Sequence, residues 1–365
     1  MVGVRADGPR EIGFGDLTGE PESVSLFLLP YCPTALLPYC LSERSVRLKS
    51  LVPIILGLCG LSAALPHSVA ASQSPDVPDW LAAHVGEGDG QIAQVVLERA
   101  RTLYRRKVSS GVVRNGCYFA MDATRPSDGR RFYIICEGAQ SFRAISSGHG
   151  SGRNLKGVAD FSNGRQCVKN FGNAFDSSLT AGGDYVTRET KTSFKGYYRA
   201  GGKDAAFKRT FVQFDGEGET ANSRERAIGG HPAALLRAMC MKKSPGSPYA
   251  DADGNVPFGK LVDYSGGRSN GCTSWSPSDA RQIIGMVQGK PTSLYIYPES
   301  SDIAAVAKSV AAGRSPAKAG LYWNTSCLKQ IGKPKFWSRK TLEPIIAKYE
   351  KDHPAGPPQP LPMCK

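Results

Sequence analysis

Gly266-Gly267-Arg268-Ser269-Asn270-Gly271-Cys272 sets one cysteine at the end of a glycine-flanked turn. A turn of this kind holds a side chain out into a cleft and leaves backbone N–H groups free around it. A thiol placed there can attack a carbonyl while neighbouring amides hold the oxyanion. A nucleophilic thiol also needs a base, and between His149 and His353 the chain offers a single histidine, His231, upstream of the cysteine.

Outward from the turn, the pattern is one of short strands and many turns. Residues 117–122 and 131–137 read as a hairpin around Arg125-Pro126-Ser127-Asp128-Gly129, followed by a strand over 141–146. Further strands are predicted near 184–188, 209–214, 224–229 and 293–297. If the hairpin turn is centred on Pro126-Ser127, Cys117 and Cys136 lie opposite one another and can be bonded. The Gly/Ser/Asn-rich stretch over 148–183 reads as a long loop of the kind that lines a site.

Helices are predicted at the edges of this β-rich body. Ile92, Val96, Ala100 and Leu103 recur at helical spacing. Ser276-Pro277-Ser278-Asp279 carries an N-cap, a proline at the first helical position and an acid at the third. A helix starting at Asp302 has Ile303, Val306 and Val310 on one face and Gly313 beyond its end. A last helix is expected over 342–351, and the proline-rich tail over 354–362 reads as extended.

The chain has 365 residues, enough for a full core and for more than one domain, and a formal net charge of +14. A basic surface attracts polyanions and also simply aids solubility. No long Lys/Arg run and no nucleic-acid motif is present, so no nucleic-acid partner is expected. Residues 44–71 read as a secretory signal: Arg44, Arg47 and Lys49, an apolar run from Leu51 to Leu65, then Ser68-Val69-Ala70-Ala71. That run is too short for a transmembrane helix, so membrane contact is expected only transiently, through this segment. The upstream stretch 1–43 reads as an extension from an early start codon. Seven cysteines follow the signal, and an odd number in an exported chain allows three pairs and one free thiol. Cys272 is the odd one out, and Cys327 with Cys364 is the pair expected to clamp the tail. No spacing suggests a metal site or any cofactor.

Arg226-Ala227-Ile228-Gly229-Gly230-His231 followed by Gly267-Arg268-Ser269-Asn270-Gly271-Cys272 resembles the active-site pattern of the L,D-transpeptidase (YkuD-like) family, in particular its murein L,D-transpeptidase catalytic-domain branch. In that branch R-A-I-x-x-H precedes G-R-S-x-G-C. Gly148-His149-Gly150-Ser151-Gly152, Phe161-Ser162-Asn163, and Ser177-Ser178 with Gly183, Tyr185 and Thr187 are similar to further segments of the branch, in the same order. The resemblance covers roughly residues 90–300. Asn270, Thr273 and Pro232 depart from the usual residues. The His231-to-Cys272 interval is about twice the family's, so residues 240–262 are expected to be an irregular inserted loop that acts as a lid over the cleft.

The resemblance implies a mainly β fold, a curved sandwich or barrel-like sheet with helices packed outside. It implies a catalytic domain over 117–300, after a linker and helix at 72–116 and before a helical extension and tail at 301–365. Cys272 would attack a peptidoglycan stem peptide to give a thioester, with His231 as base. Gly271 and Ser269 would shape the turn and oxyanion site, and Arg268, Asn270, His149 and Gly150 would meet substrate. An amine would complete transpeptidation, and water would give an L,D-carboxypeptidase. Export to the periplasm or envelope follows. Two other readings stay open: a papain-like wall peptidase using Cys272 with the downstream His353, and an inactive wall-binding protein.

Overall fold

In the computed structural model, residues 76–365 are described. The signal segment over 44–71 and the extension over 1–43 lie outside the described residues. The chain enters through α1 (Asp79–Ala82) and α2 (Gln94–Ser109). The apolar repeat of α2 buries Val96, Leu97, Ala100 and Leu103. The hairpin follows as β1 (Tyr118–Asp122) and β2 (Phe132–Cys136), then β3 (Ser141–Ile145). Tyr118 pairs with Ile135, which puts Cys117 opposite Cys136, and the two are disulfide-bonded.

The Gly/Ser/Asn-rich stretch carries four short strands: β4 (His149–Gly150), β5 (Asn154–Leu155), β6 (Ala159–Asp160) and β7 (Asn170–Gly172). Two long strands, β8 (Gly183–Ala200) and β9 (Lys203–Gly216), precede β10 (Gly229–Pro232). Then come β11 (Ala234–Lys243), β12 (Asn255–Asp263), β13 (Arg268–Ser269) and β14 (Thr273–Trp275). The chain ends with α3 (Pro277–Val287), β15 (Ser293–Tyr297), α4 (Ser300–Ala311), α5 (Thr325–Ile331), β16 (Lys335–Trp337) and α6 (Arg339–Asp352).

Ten strands form one mixed sheet whose main order is β14-β10-β9-β8-β15-β1-β2-β3, with β11 and β12 attached beside β8. Strand outweighs helix, so the protein is mainly β with peripheral helices. The central strands are buried on both faces because their side chains alternate. Phe119, Met121, Phe132, Ile134, Leu294 and Ile296 turn to the layer of α3 and α4. Tyr118, Ala120, Tyr133, Ile135, Tyr295 and Tyr297 turn to α2.

Four expectations need correction. Residues 240–262 are not wholly an irregular loop: β11 and β12 form a bulged antiparallel hairpin that takes in 240–243 and 255–262, with a turn between them. Gly246, Pro248 and Gly254 fall in the turn at its tip. Pro257 is tolerated in β12 because it faces Met241, whose N–H and C=O bond outward to Pro362 and Cys364. Second, residues 224–228 form turns, and the strand begins only at Gly229. Third, Cys327 pairs with Cys167 and Cys364 with Cys240, so no Cys327–Cys364 clamp exists. The tail is held on β11 instead, where Met363 also bridges Met241. Fourth, α4 is capped by Glu299, with Asp302 at its third position rather than at its start.

Three disulfides are the mark of an oxidising, exported environment. Among the described residues no helix is long and apolar enough to cross a membrane.

Candidate active site

The edge of the sheet brings the two halves of the motif together. β10 and β14 are parallel neighbours, with His231 opposite Ser274. Opposed residues in a ladder share a face, and residues two apart share it too. His231 and Ser274 are therefore directed to the same side, and Cys272 stands immediately before β14. The 41-residue interval between base and thiol is spanned by the β11–β12 hairpin, which leaves this edge and returns to it.

His231 is buried, and its Nδ1 lies 3.0 Å from the Pro232 carbonyl oxygen. With Nδ1–H donating to that carbonyl, Nε2 keeps its lone pair. Burial, with the positive charge of Arg209 next, pushes the imidazole pKa down to about 3. The ring is thus neutral at physiological pH, the form that can accept a proton.

Cys272 is the one free cysteine among the described residues, and it is half-buried. Its Sγ donates to the Ala227 carbonyl at 3.6 Å and makes no hydrogen bond to His231. Burial raises the thiol pKa, while the Gly229 N–H, Arg209 and Arg226 act in the opposite direction. At rest both the thiol and the imidazole are neutral. Among the described residues no protein acceptor takes the N–H of Gly271 or Cys272. Both amides are thus unbonded, as donors to an oxyanion on a carbonyl attacked by the sulfur must be.

The turn itself is closed by Ser269, whose hydroxyl donates to the Cys272 carbonyl. Gly271 has φ +99°, and a Cβ there would come within 2.9 Å of Ile228 Cδ1. Gly271→Ala is therefore expected to distort the turn, costing about 1–3 kcal/mol of stability and most of the reactivity of Cys272. Thermal melting together with the rate of iodoacetamide labelling checks both.

The structure joins the other sequence-predicted residues to this turn. β13 pairs in parallel with β4, Arg268 opposite His149 and Ser269 opposite Gly150. The His149 ring is fully buried: Arg131 donates to Nδ1 at 3.0 Å, and Nε2 lies 3.3 Å from the Gly164 carbonyl. His149 therefore braces the ladder and presents no free ring nitrogen to a substrate. Gly150 packs its Cα against the chain at 178–180, where a Cβ would sit 2.5 Å from the Ser178 carbonyl. This close packing leaves no room for a side chain at position 150. Arg268 is exposed, with one guanidinium nitrogen donating to the Asn163 carbonyl at 2.8 Å. Asn270 is exposed at the mouth.

Comparison with protein-family models, curated proteins and solved structures finds no match. The chemistry of the site rests on its own residues. Two of them carried no role in the sequence reading. Arg226 belongs to the quoted motif, and its guanidinium donates to the Leu179 carbonyl at 2.7 Å, close enough to act on the Cys272 charge. Arg209 had no local signal: only the order β9-β10-β14 brings it near His231 and Cys272. Ala227 and Ser178, with φ of 52° and 55°, are non-glycine residues in the left-handed region beside the site. Such strain clusters where function demands a set geometry. Among the described residues no group of His, Cys, Asp and Glu is arranged to hold a metal ion.

The buried histidines set an acid limit on stability. Both His231 and His149 have pKa values depressed below the unfolded 6.5, mainly by burial. The unfolded chain therefore takes up protons first as pH falls, and the folded state loses stability progressively below pH 6.5. For His231 the loss continues down to about pH 3. By pH 4 it is on the order of 3 kcal/mol from this residue. The melting temperature is expected to fall steadily from pH 7 to pH 4, less steeply in His231→Gln.

Proposed function

We propose that this protein is a cysteine acyltransferase of the L,D-transpeptidase type, acting on peptidoglycan stem peptides in the periplasm or cell envelope. The observation that carries the reading is the constellation at the β10–β14 edge: a half-buried free thiol just before β14 and a neutral histidine on the paired strand β10. The histidine's Nδ1 is held by a carbonyl, and two unbonded N–H groups sit in the turn of the thiol. The mainly β sheet with helices on both faces supports, at a coarser level, the curved sandwich that the resemblance implies.

In this reading Nε2 of His231 removes the Cys272 proton as sulfur attacks the carbonyl before the terminal D-residue. The N–H groups of Gly271 and Cys272 hold the oxyanion. The C–N bond then breaks, the histidinium proton goes to the departing amine, and a thioester remains. An acceptor amine attacks the thioester, gives its proton to His231, and releases the thiolate, which is reprotonated. Water in place of the amine gives the carboxypeptidase reaction. Arg268 and Arg209 suit the carboxylates of a stem peptide.

A papain-like pairing with His353 has less support. That ring stacks on Tyr349, its Nδ1 lies 3.1 Å from the Tyr349 carbonyl, and it is exposed beyond α6. The inactive-binder reading has to explain a strained, capped turn around an unpaired thiol.

Mass spectrometry of a disaccharide tetrapeptide incubated with the protein tests the proposal. Loss of the terminal D-residue, or its exchange for an added amine, is expected with the wild type and not with Cys272→Ala. No product, or equal product from the variant, would overturn it.

A further inference from the structure

Away from Cys272, a cleft of about 820 Å³ lies between α4 and the β16 segment. That volume is within the range of pockets that hold small ligands. Ile303, Ala307 and Phe336 line it with apolar surface, and Lys169, Lys333 and Lys335 bring three positive charges to it. None of the three lysines forms an ion pair among the described residues. The carboxylate that lines the cleft, Asp160, is already engaged by the N–H and hydroxyl of Ser162 at 2.8 and 2.5 Å. Glu219 accepts from the N–H and hydroxyl of Ser300, another lining residue.

An aromatic side chain completes the cationic end. Trp337 donates its Nε1–H to Asn170 Oδ1 at 3.0 Å, which fixes the plane of the indole, and Lys335 Nζ stands 3.2 Å from the ring centre. Burial and the charge of Lys333 both disfavour the Lys335 ammonium. An anion in the cleft would relieve that repulsion. The Lys335 ammonium sits on the indole face and Phe336 beside it adds apolar surface, and ammonium donors next to apolar surface suit a sugar ring that carries an acid group.

We propose that this cleft binds an anionic saccharide, a sugar chain bearing carboxylate or phosphate groups. The site is hydrogen-bonded to the turn that carries the thiol. Trp337 bonds to Asn170, whose N–H and carbonyl both bond to the Asn163 side chain, and the Asn163 carbonyl accepts from Arg268. If acyl transfer is the activity, this hydrogen-bond chain ties the cleft to the turn of its nucleophile. The binding itself does not depend on that reading.

Isothermal titration of the full chain with trigalacturonate, with glucose 6-phosphate, with neutral maltotriose and with inorganic phosphate tests the inference. At least one anionic sugar is expected to bind tenfold or more tightly than maltotriose, and equally well in Cys272→Ala. The carboxylated and phosphorylated arms tell which acid group is preferred. Lys333→Gln with Lys335→Gln should weaken binding at least tenfold, and Lys169→Gln, on a separate segment, should weaken it measurably. Lys195→Gln with Lys260→Gln, on the β8 and β12 strands, should leave it unchanged. No binding of either anionic sugar, an equal loss in the Lys195 and Lys260 variant, or equally tight binding of inorganic phosphate would overturn the proposal. Melting curves confirm that each variant is folded.

Discussion

Cys272→Ser is expected to abolish turnover, a loss of at least about a thousandfold, while leaving the melting temperature within a few degrees of the wild type. The side chain is half-buried and its Sγ donates to the Ala227 carbonyl, to which a hydroxyl can also donate. The fold therefore loses little, whereas the nucleophile is lost outright. An acylating β-lactam of the carbapenem type should add its mass to the wild type and not to the variant. His231→Ala should lower turnover by about 10²–10⁴, the usual contribution of a general base. The imidazole stays neutral above about pH 3, and the thiol is held above its ordinary value of 9.0. Acylation should therefore be level through the neutral range and rise only as the thiol itself ionises at alkaline pH. An adduct on Cys272→Ser, or a flat response to His231→Ala, would count against the assignment.

Removing the Cys167–Cys327 bridge is expected to cause the largest loss of stability. It closes a span of 160 residues, against 19 for Cys117–Cys136. Chain entropy puts the two contributions at about 5 and about 3 kcal/mol. Cys327 is fully buried at the start of α5, and that segment leads into β16, which pairs with β7. In Cys167→Ser with Cys327→Ser, thermal melting should drop by roughly 10 °C or more. Amide exchange should quicken over 325–337 before it does in β1 or β15. Uniform exchange across these segments would show that the bridge does not hold the C-terminal part.

Much of the local structure was legible because it rests on short-range rules. The α3 start reads directly from Ser276, Pro277 and Asp279: the serine hydroxyl accepts from the Asp279 N–H at 3.1 Å. The Cys117–Cys136 bond follows from the symmetry of one hairpin. The β11–β12 hairpin was misread because its glycines and prolines cluster at the tip and at a position where the ladder asks no donor of Pro257. Periodicity alone cannot separate such a strand from a loop. The other two disulfides join segments 160 and 124 residues apart, and no local spacing encodes such a pairing.

By itself the sequence determined that a single thiol stands in a tight glycine turn and that one histidine precedes it. It also determined that the surrounding chain makes strands, since these depend on residue type and near neighbours. Only the tertiary structure decided that β10 lies beside β14, that His149 is a buried brace, and that Arg209 and Arg226 flank the thiol. It alone decided that three lysines from two distant segments share a cleft with Trp337. Sheet order, burial and the closure of long loops are set by how the whole core packs, and they fix which charges meet and which ring nitrogens stay free.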